Sequence, residues 1–195
     1  METYQKVRGN FMYLKNGNLV IRSAEVKDAV QLNTWWNDGA VMAHAGFPNG
    51  LGEALEDTIA GIKKNEKYLS QRCIIEIDSV LAGEMSYYLL EGNTAEIGIK
   101  ICETAYQNQG YGSKLIWMLI TYLFEDEVLK DKFPVHRIIL DTNLKNERAQ
   151  HVYEKLGFTK LRENYGAWKD QLGVLQDSVD YEMTKEQFEQ LKLKR

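Results

Sequence analysis

The sequence predicts an α+β fold: a mixed, mostly antiparallel central sheet with helices on both faces. Three observations predict it. Apolar, strand-like runs at 71–77, 80–90 and 94–102 follow one another across turn-length gaps, and such short gaps join antiparallel neighbours. A long amphipathic run at 111–125 and a second at 146–156 then alternate with a strand at 136–140. That strand–helix–strand order adds a crossover, so the sheet is mixed and helices cover its faces.

Residues 19–22 alternate apolar and polar and form a short first strand. Over 28–37 the apolar residues Ala29, Leu32, Trp35 and Trp36 have helical spacing. Residues 37–52 are rich in glycine and small side chains and contain Pro48, so they form a loop or a broken helix. Helical spacing resumes over 53–64 through Leu55, Ile59 and Ile62. The meander follows, with turns at Asp78-Ser79 and Glu91-Gly92-Asn93. In its last strand Glu96, Gly98 and Lys100 share one face, while Ile97, Ile99 and Ile101 share the other. The 111–125 helix presents Leu115, Met118, Leu119, Tyr122 and Leu123. Gly157 ends the 146–156 helix as a left-handed cap, and 158–161 begins a strand. Residues 170–173 form a loop and 174–183 a last strand, after which Thr184 caps a short amphipathic helix.

Composition narrows the function classes. At 195 residues, 44% hydrophobic and 27% charged, the chain fits one domain over 1–195 with a full core. A formal net charge of −4 argues against a general nucleic-acid binder. Residues 1–10 are polar and no apolar run approaches membrane-spanning length, so a cytoplasmic protein without a membrane partner is expected. Cys73 and Cys102 lie inside apolar strands and read as reduced, buried residues. The histidines have no metal-ligand spacing, and no metal is expected.

The chemistry concentrates after the third meander strand. Gln107-Asn108-Gln109-Gly110-Tyr111-Gly112-Ser113 is a polar loop with two glycines that opens the long helix. Unpaired N–H groups and the positive end of the helix dipole suit a phosphate there, although glycines also serve loop geometry alone. It is neither a Walker A loop nor a complete dinucleotide fingerprint. The form Gln-x-x-Gly-x-Gly at 107–112, between a strand and a long helix, resembles the acetyl-CoA loop of the GNAT superfamily of N-acetyltransferases. Downstream, Asn146-Glu147-Arg148-Ala149 and Tyr153-Glu154-Lys155-Leu156-Gly157-Phe158 resemble the superfamily's second segment, in the same order. The likeness covers about 20–183. The tail around Trp168 and Asp180-Tyr181 resembles the ribosomal-protein-acetylating (RimJ/RimL-like) branch.

The resemblance implies a GNAT fold, acetyl-CoA as cosubstrate, and direct acetyl transfer to an amine. It implies that the pyrophosphate of coenzyme A sits on the 107–113 loop. The pantetheine arm then runs beside Ile101 and Cys102, with Asn146 holding it from the other side. Amine transfer calls for a base and an acid. Glu96, on the polar face of the strand entering the loop, is the first candidate base, Glu84 the rival, and water relays are open to either. Tyr153 matches the tyrosine near the coenzyme sulfur, where it donates a proton to the thiolate or orients the thioester; the bland reading is a packed aromatic. A ping-pong route through Cys102 lacks a neighbouring histidine to activate the thiol. Trp35, Trp36, His44 and Phe47 lie where relatives build the acceptor wall, and at least one of the tryptophans reads as core. The acceptor is then a small-molecule amine. A protein N-terminus and a non-catalytic role as a coenzyme A-binding module are the alternatives, and the edges of such a fold leave a homodimer open.

Overall fold

The computed structural model describes residues 11–64 and 70–194. Its eight strands form one sheet in the order β1-β2-β3-β4-β5-β6-β8-β7. They are β1 (Tyr13–Asn16), β2 (Leu19–Ser23), β3 (Ser70–Ile77), β4 (Val80–Leu90), β5 (Thr94–Ile101), β6 (Arg137–Asn143), β7 (Thr159–Lys169) and β8 (Leu175–Thr184). The helices are α1 (Ala29–Asn37), α2 (Gly39–Met42), α3 (Leu55–Lys64), α4 (Tyr111–Glu125), α5 (Glu127–Lys132), α6 (Glu147–Leu156) and α7 (Lys185–Lys192). The expected meander is present: β3, β4 and β5 pair antiparallel in succession.

Each sheet face has its own core. Ile97 and its even-spaced neighbours meet α4, α6 and α7 on one face, in a core built from Leu115, Leu119, Phe124, Leu156 and Phe188. The other face buries Leu32, Trp35, Trp36, Met42 and Ile62 from α1, α2 and α3 against Ile74 and Cys102. Both expected cysteines are buried and free. Arg22 of β2 holds Asp28 through two contacts of 2.7 and 2.8 Å and Glu76 at 2.6 Å, which fixes where the chain turns into α1. At the C-terminus, Thr184 and Gln187 form the reciprocal capping box that starts α7.

The feature that positions the site is a break in the sheet. β5 and β6 are its one parallel pair, and their pairing stops at Glu96↔Ile139. Both strands continue, to Ile101 and Asn143, so past Glu96 they separate and a wedge opens. There β5 stays with β4 instead. Gly83 permits this, because a Cβ at that position would lie 2.2 Å from the Lys100 carbonyl oxygen.

Three elements differ from the sequence expectations. β1 forms an unanticipated hairpin with β2, with Gly17 at φ +58° in the turn. α5 is a short helix capped by the Asp126 side chain, which accepts from the Leu129 N–H. β7 runs to Lys169, well past 161, as an edge strand with bulges and almost no buried residue.

Candidate active site

The wedge opens into a cleft of about 1180 Å³. Its lining brings together Glu96, Ile101, Cys102, Gln107, Gly112, Asn146, Tyr153, Trp35 and His44 from the expected set. Two further groups join them that sequence spacing did not single out as site residues, Asp141 of β6 and Trp168 of β7. Asn108, Gln109, Gly110, Tyr111 and Ser113 belong to the loop and helix start beside the cleft without forming its wall. Phe47 and Glu84 also stand outside the lining.

The loop's polar side chains are engaged within the protein. Gln107 Nε2 donates to the Ile101 carbonyl at 2.9 Å, Gln109 donates to the Ala105 carbonyl, and Asn108 Oδ1 accepts from Arg148 at 2.7 Å. These contacts pin the loop to β5 and α6 and leave the anion-binding capacity to the backbone. Gly110, at φ +77°, is the N-cap residue of α4, and no side chain caps that helix. Gly112 is different. A Cβ there would meet nothing nearer than Ile101 Cδ1 at 4.0 Å, so the protein's own packing does not require glycine. What glycine leaves is open space against an uncapped helix start, which fits a phosphate group.

Along the wedge, the Cys102 N–H donates to the Ala82 carbonyl at 2.9 Å and is therefore committed to β4. Backbone groups alternate sides along a strand, so those of Ile101 face the wedge. Asn146 caps α6, accepting from the Ala149 N–H at 3.2 Å and donating to Thr142 Oγ1 at 3.3 Å. Burial pushes the Cys102 thiol up to about 12, and the neighbouring Glu84 charge adds to it. The thiol therefore stays protonated and is a poor nucleophile at neutral pH.

Two acidic side chains face the cleft from the two separating strands. Glu96 is partly buried on β5, and its carboxyl is raised above the usual carboxylate range by burial and by the charge of Asp141. Asp141, open to the cleft, is raised by its enclosure between the walls and by Asp180. Asp180 itself accepts from Arg162 at 2.7 Å and from Asn164 at 3.0 Å. Glu84 is a different kind of carboxylate. It is buried and accepts from Trp36 Nε1 at 2.9 Å and Arg72 at 2.8 Å, with Lys100 Nζ at 3.5 Å. Lys100 therefore leans on Glu84 and not on Glu96.

Tyr153 is 7% exposed, lies edge-on to Tyr181, and lines the cleft. Burial pushes its phenol up to about 12, with a further push from Asp141. It therefore holds its proton at neutral pH. Trp35 and Trp36 are both buried; Trp35 Nε1 donates to Glu103 at 2.8 Å and presents an edge to the cleft, while Trp36 is core under the Arg72 guanidinium.

Opposite them, the tip of the β7–β8 hairpin closes the wall. Trp168 lies over Gly46, where a Cβ would come within 2.1 Å of the indole. Gln171 reaches across with both ends of its side chain, accepting from the Asn49 N–H at 3.0 Å and donating to the Gly50 carbonyl at 2.9 Å. Gln171→Ala should cost about 1–2 kcal/mol of stability, since each such bond contributes a net ~0.5–1.5 kcal/mol. Equilibrium denaturation reads the loss.

Residues 18–159 match the acetyltransferase (GNAT) domain family. No curated protein matches the chain. Among solved structures, the fold resembles spermidine N-acetyltransferase from Vibrio cholerae in complex with CoA and spermine. The identity is 20% and the TM-score 0.76, over 89% of this chain and 99% of that one. It also resembles RimL, a ribosomal L7/L12 alpha-N-protein acetyltransferase, in complex with coenzyme A, at 19% identity and a TM-score of 0.72, over 87% and 95% of the two chains. A GNAT-family acetyltransferase from Bacillus anthracis aligns at 25% identity and a TM-score of 0.71, over 90% of this chain and 99% of that one. With its split β5–β6 pair, uncapped glycine-bearing α4 and matching sequence over most of its length, the chain belongs to the GNAT family of acetyltransferases.

Proposed function

We propose that this protein transfers the acetyl group of acetyl-CoA directly to a primary amine of a small molecule. The observation that carries the reading is the wedge between β5 and β6. It joins the open start of α4 to a cleft holding a raised carboxylate and a protonated phenol. In this reading the first turn of α4 at Gly110 and Gly112 seats the pyrophosphate, and the backbone of Ile101 meets the pantetheine arm. Asn146 supports the arm indirectly, as the cap that fixes the start of α6. Acetyl-CoA supplies an activated acetyl group and a thiol leaving group.

The acceptor arrives protonated, because a lysine-like amine has a reference pKa near 10.4. Glu96 removes that proton. A carboxyl raised by burial and by Asp141 is a stronger proton acceptor than an ordinary one. Glu84 is poorly placed for this role, because three donors already surround it. Tyr153 returns a proton to the departing sulfur, whose reference thiol pKa is near 8.5. Trp35, His44 and Trp168 form the acceptor wall. The hairpin tip tied to residues 46–50 narrows that side, which favours a small acceptor over a protein N-terminus.

Thiol release from acetyl-CoA against a panel of small amines and peptide N-termini tests the acceptor class. Turnover confined to peptides would replace this reading with protein acetylation. Glu96→Gln should lower kcat/KM about 100–1000-fold, within the range of a general base. Glu96 works only when ionised, so the wild-type rate should rise with pH through a value above the ordinary carboxylate range, and that limb should be missing in the variant. An unchanged limb would move the base to Glu84 or water.

A further inference from the structure

Resting on the acetyl-transfer reading, we propose that Lys100 is a self-acetylation site held in check by Glu84. Once released from Glu84, the Lys100 amine takes the acetyl group in place of the acceptor and closes the cleft to further turnover.

Glu96, Gly98 and Lys100 share one face of β5, and all three line the cleft. Gly98 is exposed and carries no side chain, so no β5 side chain stands between Lys100 and the proposed base on that face. Same-face residues lie about 7 Å apart along a strand, a step that the flexible four-carbon stem of lysine spans. Lys100 also directly precedes Ile101, whose backbone meets the pantetheine arm in the acetyl-transfer reading. Its Nζ is therefore a primary amine beside the path of the thioester, on the face of the base. The other lysine of the cleft wall, Lys145, is exposed in the connection between β6 and α6.

The tether on that amine is loose. Glu84 and Lys100 are register partners on β4 and β5. Glu84 accepts from Trp36 Nε1 at 2.9 Å and from Arg72 at 2.8 Å, whereas Lys100 Nζ stands 3.5 Å away. Nζ also donates to Met42 Sδ at 2.9 Å, a thioether and a weak acceptor. The Lys100 side chain is 25% exposed, against 11% for that of Glu84. Arg72 and Trp36 thus fix the carboxylate, and Lys100 is its weakest partner. Both contacts turn Nζ towards α2, away from Glu96 and the open face over Gly98.

The transfer needs no reagent beyond acetyl-CoA. Nζ leaves its two acceptors, gives up a proton to Glu96 and attacks the thioester carbonyl. The C–N bond forms, the C–S bond breaks, and the sulfur leaves as the coenzyme A thiol. Of the two protons lost from the ammonium, one ends on the sulfur and one in solvent. The product is a neutral amide, which no longer pairs with Glu84. An amide is a far poorer acetyl donor than a thioester, so the group stays on Lys100. It then occupies the face over Gly98 where the acceptor amine meets Glu96.

Incubation with acetyl-CoA and no amine, followed by intact-mass and peptide mass spectrometry, reads the modification. Wild-type protein should slowly gain an acetyl group on Lys100, ahead of Lys145, and lose amine turnover in step. Glu84→Gln keeps an oxygen for Trp36 and loses the charge that holds Lys100. Its Lys100 should be acetylated about tenfold faster, the change that ~1.4 kcal/mol of lost tether gives. Met42→Leu preserves the packing, removes the sulfur contact and should act in the same direction, which supplies the test if Glu84→Gln does not fold. Lys100→Arg should take up no acetyl group at this position and should keep its turnover through the incubation. Acetylation spread evenly over the surface lysines would overturn the proposal. So would a Lys100 rate no faster in folded Glu84→Gln, or in Met42→Leu where Glu84→Gln is unfolded. If added amines are acetylated while Lys100 stays free in every variant, self-acetylation alone fails. If neither the amines nor Lys100 take the acetyl group although coenzyme A binds, the acetyl-transfer reading fails with it.

Discussion

Gly112→Trp is expected to raise the dissociation constant for acetyl-CoA at least about 100-fold, a loss of about 2.8 kcal/mol at ~1.4 kcal/mol per tenfold. The indole would fill the space that glycine leaves at the first turn of α4, where the nearest protein atom to a Cβ is Ile101 Cδ1 at 4.0 Å. It would also screen the helix-start N–H groups that no side chain caps. Because that space faces the cleft and not the core, the melting temperature should stay close to the wild-type value. Gly110 gives a contrast. Its φ of +77° makes any side chain there a backbone problem, so Gly110→Ala should lose stability along with affinity. Calorimetric titration beside thermal melts separates the two. Undiminished affinity in Gly112→Trp would move the phosphate seat elsewhere.

Tyr153→Phe should lower kcat about 100–1000-fold, within the span of general acid catalysis, with the KM for acetyl-CoA changed only a few-fold. The ring packs against Tyr181 and Phe158, and phenylalanine preserves that packing. The hydroxyl alone is lost, and it bonds to no described residue, so the fold loses little. A phenol pushed up to about 12 keeps its proton at neutral pH and is available to the developing thiolate as a hydrogen-bond donor. Steady-state kinetics with the acceptor saturating would show the fall. Equal losses in kcat and coenzyme affinity would make Tyr153 a binding group only. Wild-type turnover would leave it as a packed aromatic.

Local sequence carried much of this. The meander was legible because β3, β4 and β5 are apolar-rich runs separated by turn residues. α4 and α6 were legible from apolar periodicity and the Gly157 cap. The glycine loop was legible because its function is local: a strand end, a polar turn and a helix start adjoin in the chain. Elements with weak burial were not legible in the same way. β7 is an edge strand whose side chains are almost all exposed, so no apolar period marked its length. β1 is four residues long, and only the Gly17-Asn18 turn marked it.

The site divides along the same line. Its donor side was legible, while the acceptor side depends on topology. Asp141 meets Glu96 because β6 joins β5 in parallel and then diverges. Trp168 reaches Gly46 because β8 separates β7 from β6 and turns the hairpin tip back over the cleft. The available signal for Asp141 was the acidic residue at the end of the Ile138-Ile139-Leu140 strand, which in a mixed sheet marks a carboxyl end where ligands gather. The two rival carboxylates could be separated only by their partners: Glu84 is surrounded by donors, and Glu96 is not.

The most direct test of the central account is an initial-velocity study of thiol release, with acetyl-CoA and a small primary amine varied together. Direct transfer between two bound substrates gives one acetylated amine per free thiol and intersecting double-reciprocal lines. Parallel lines would place the acetyl group on the protein between half-reactions. Absence of thiol release above the enzyme-free rate, with every amine and peptide tried, would contradict acetyl transfer at the wedge.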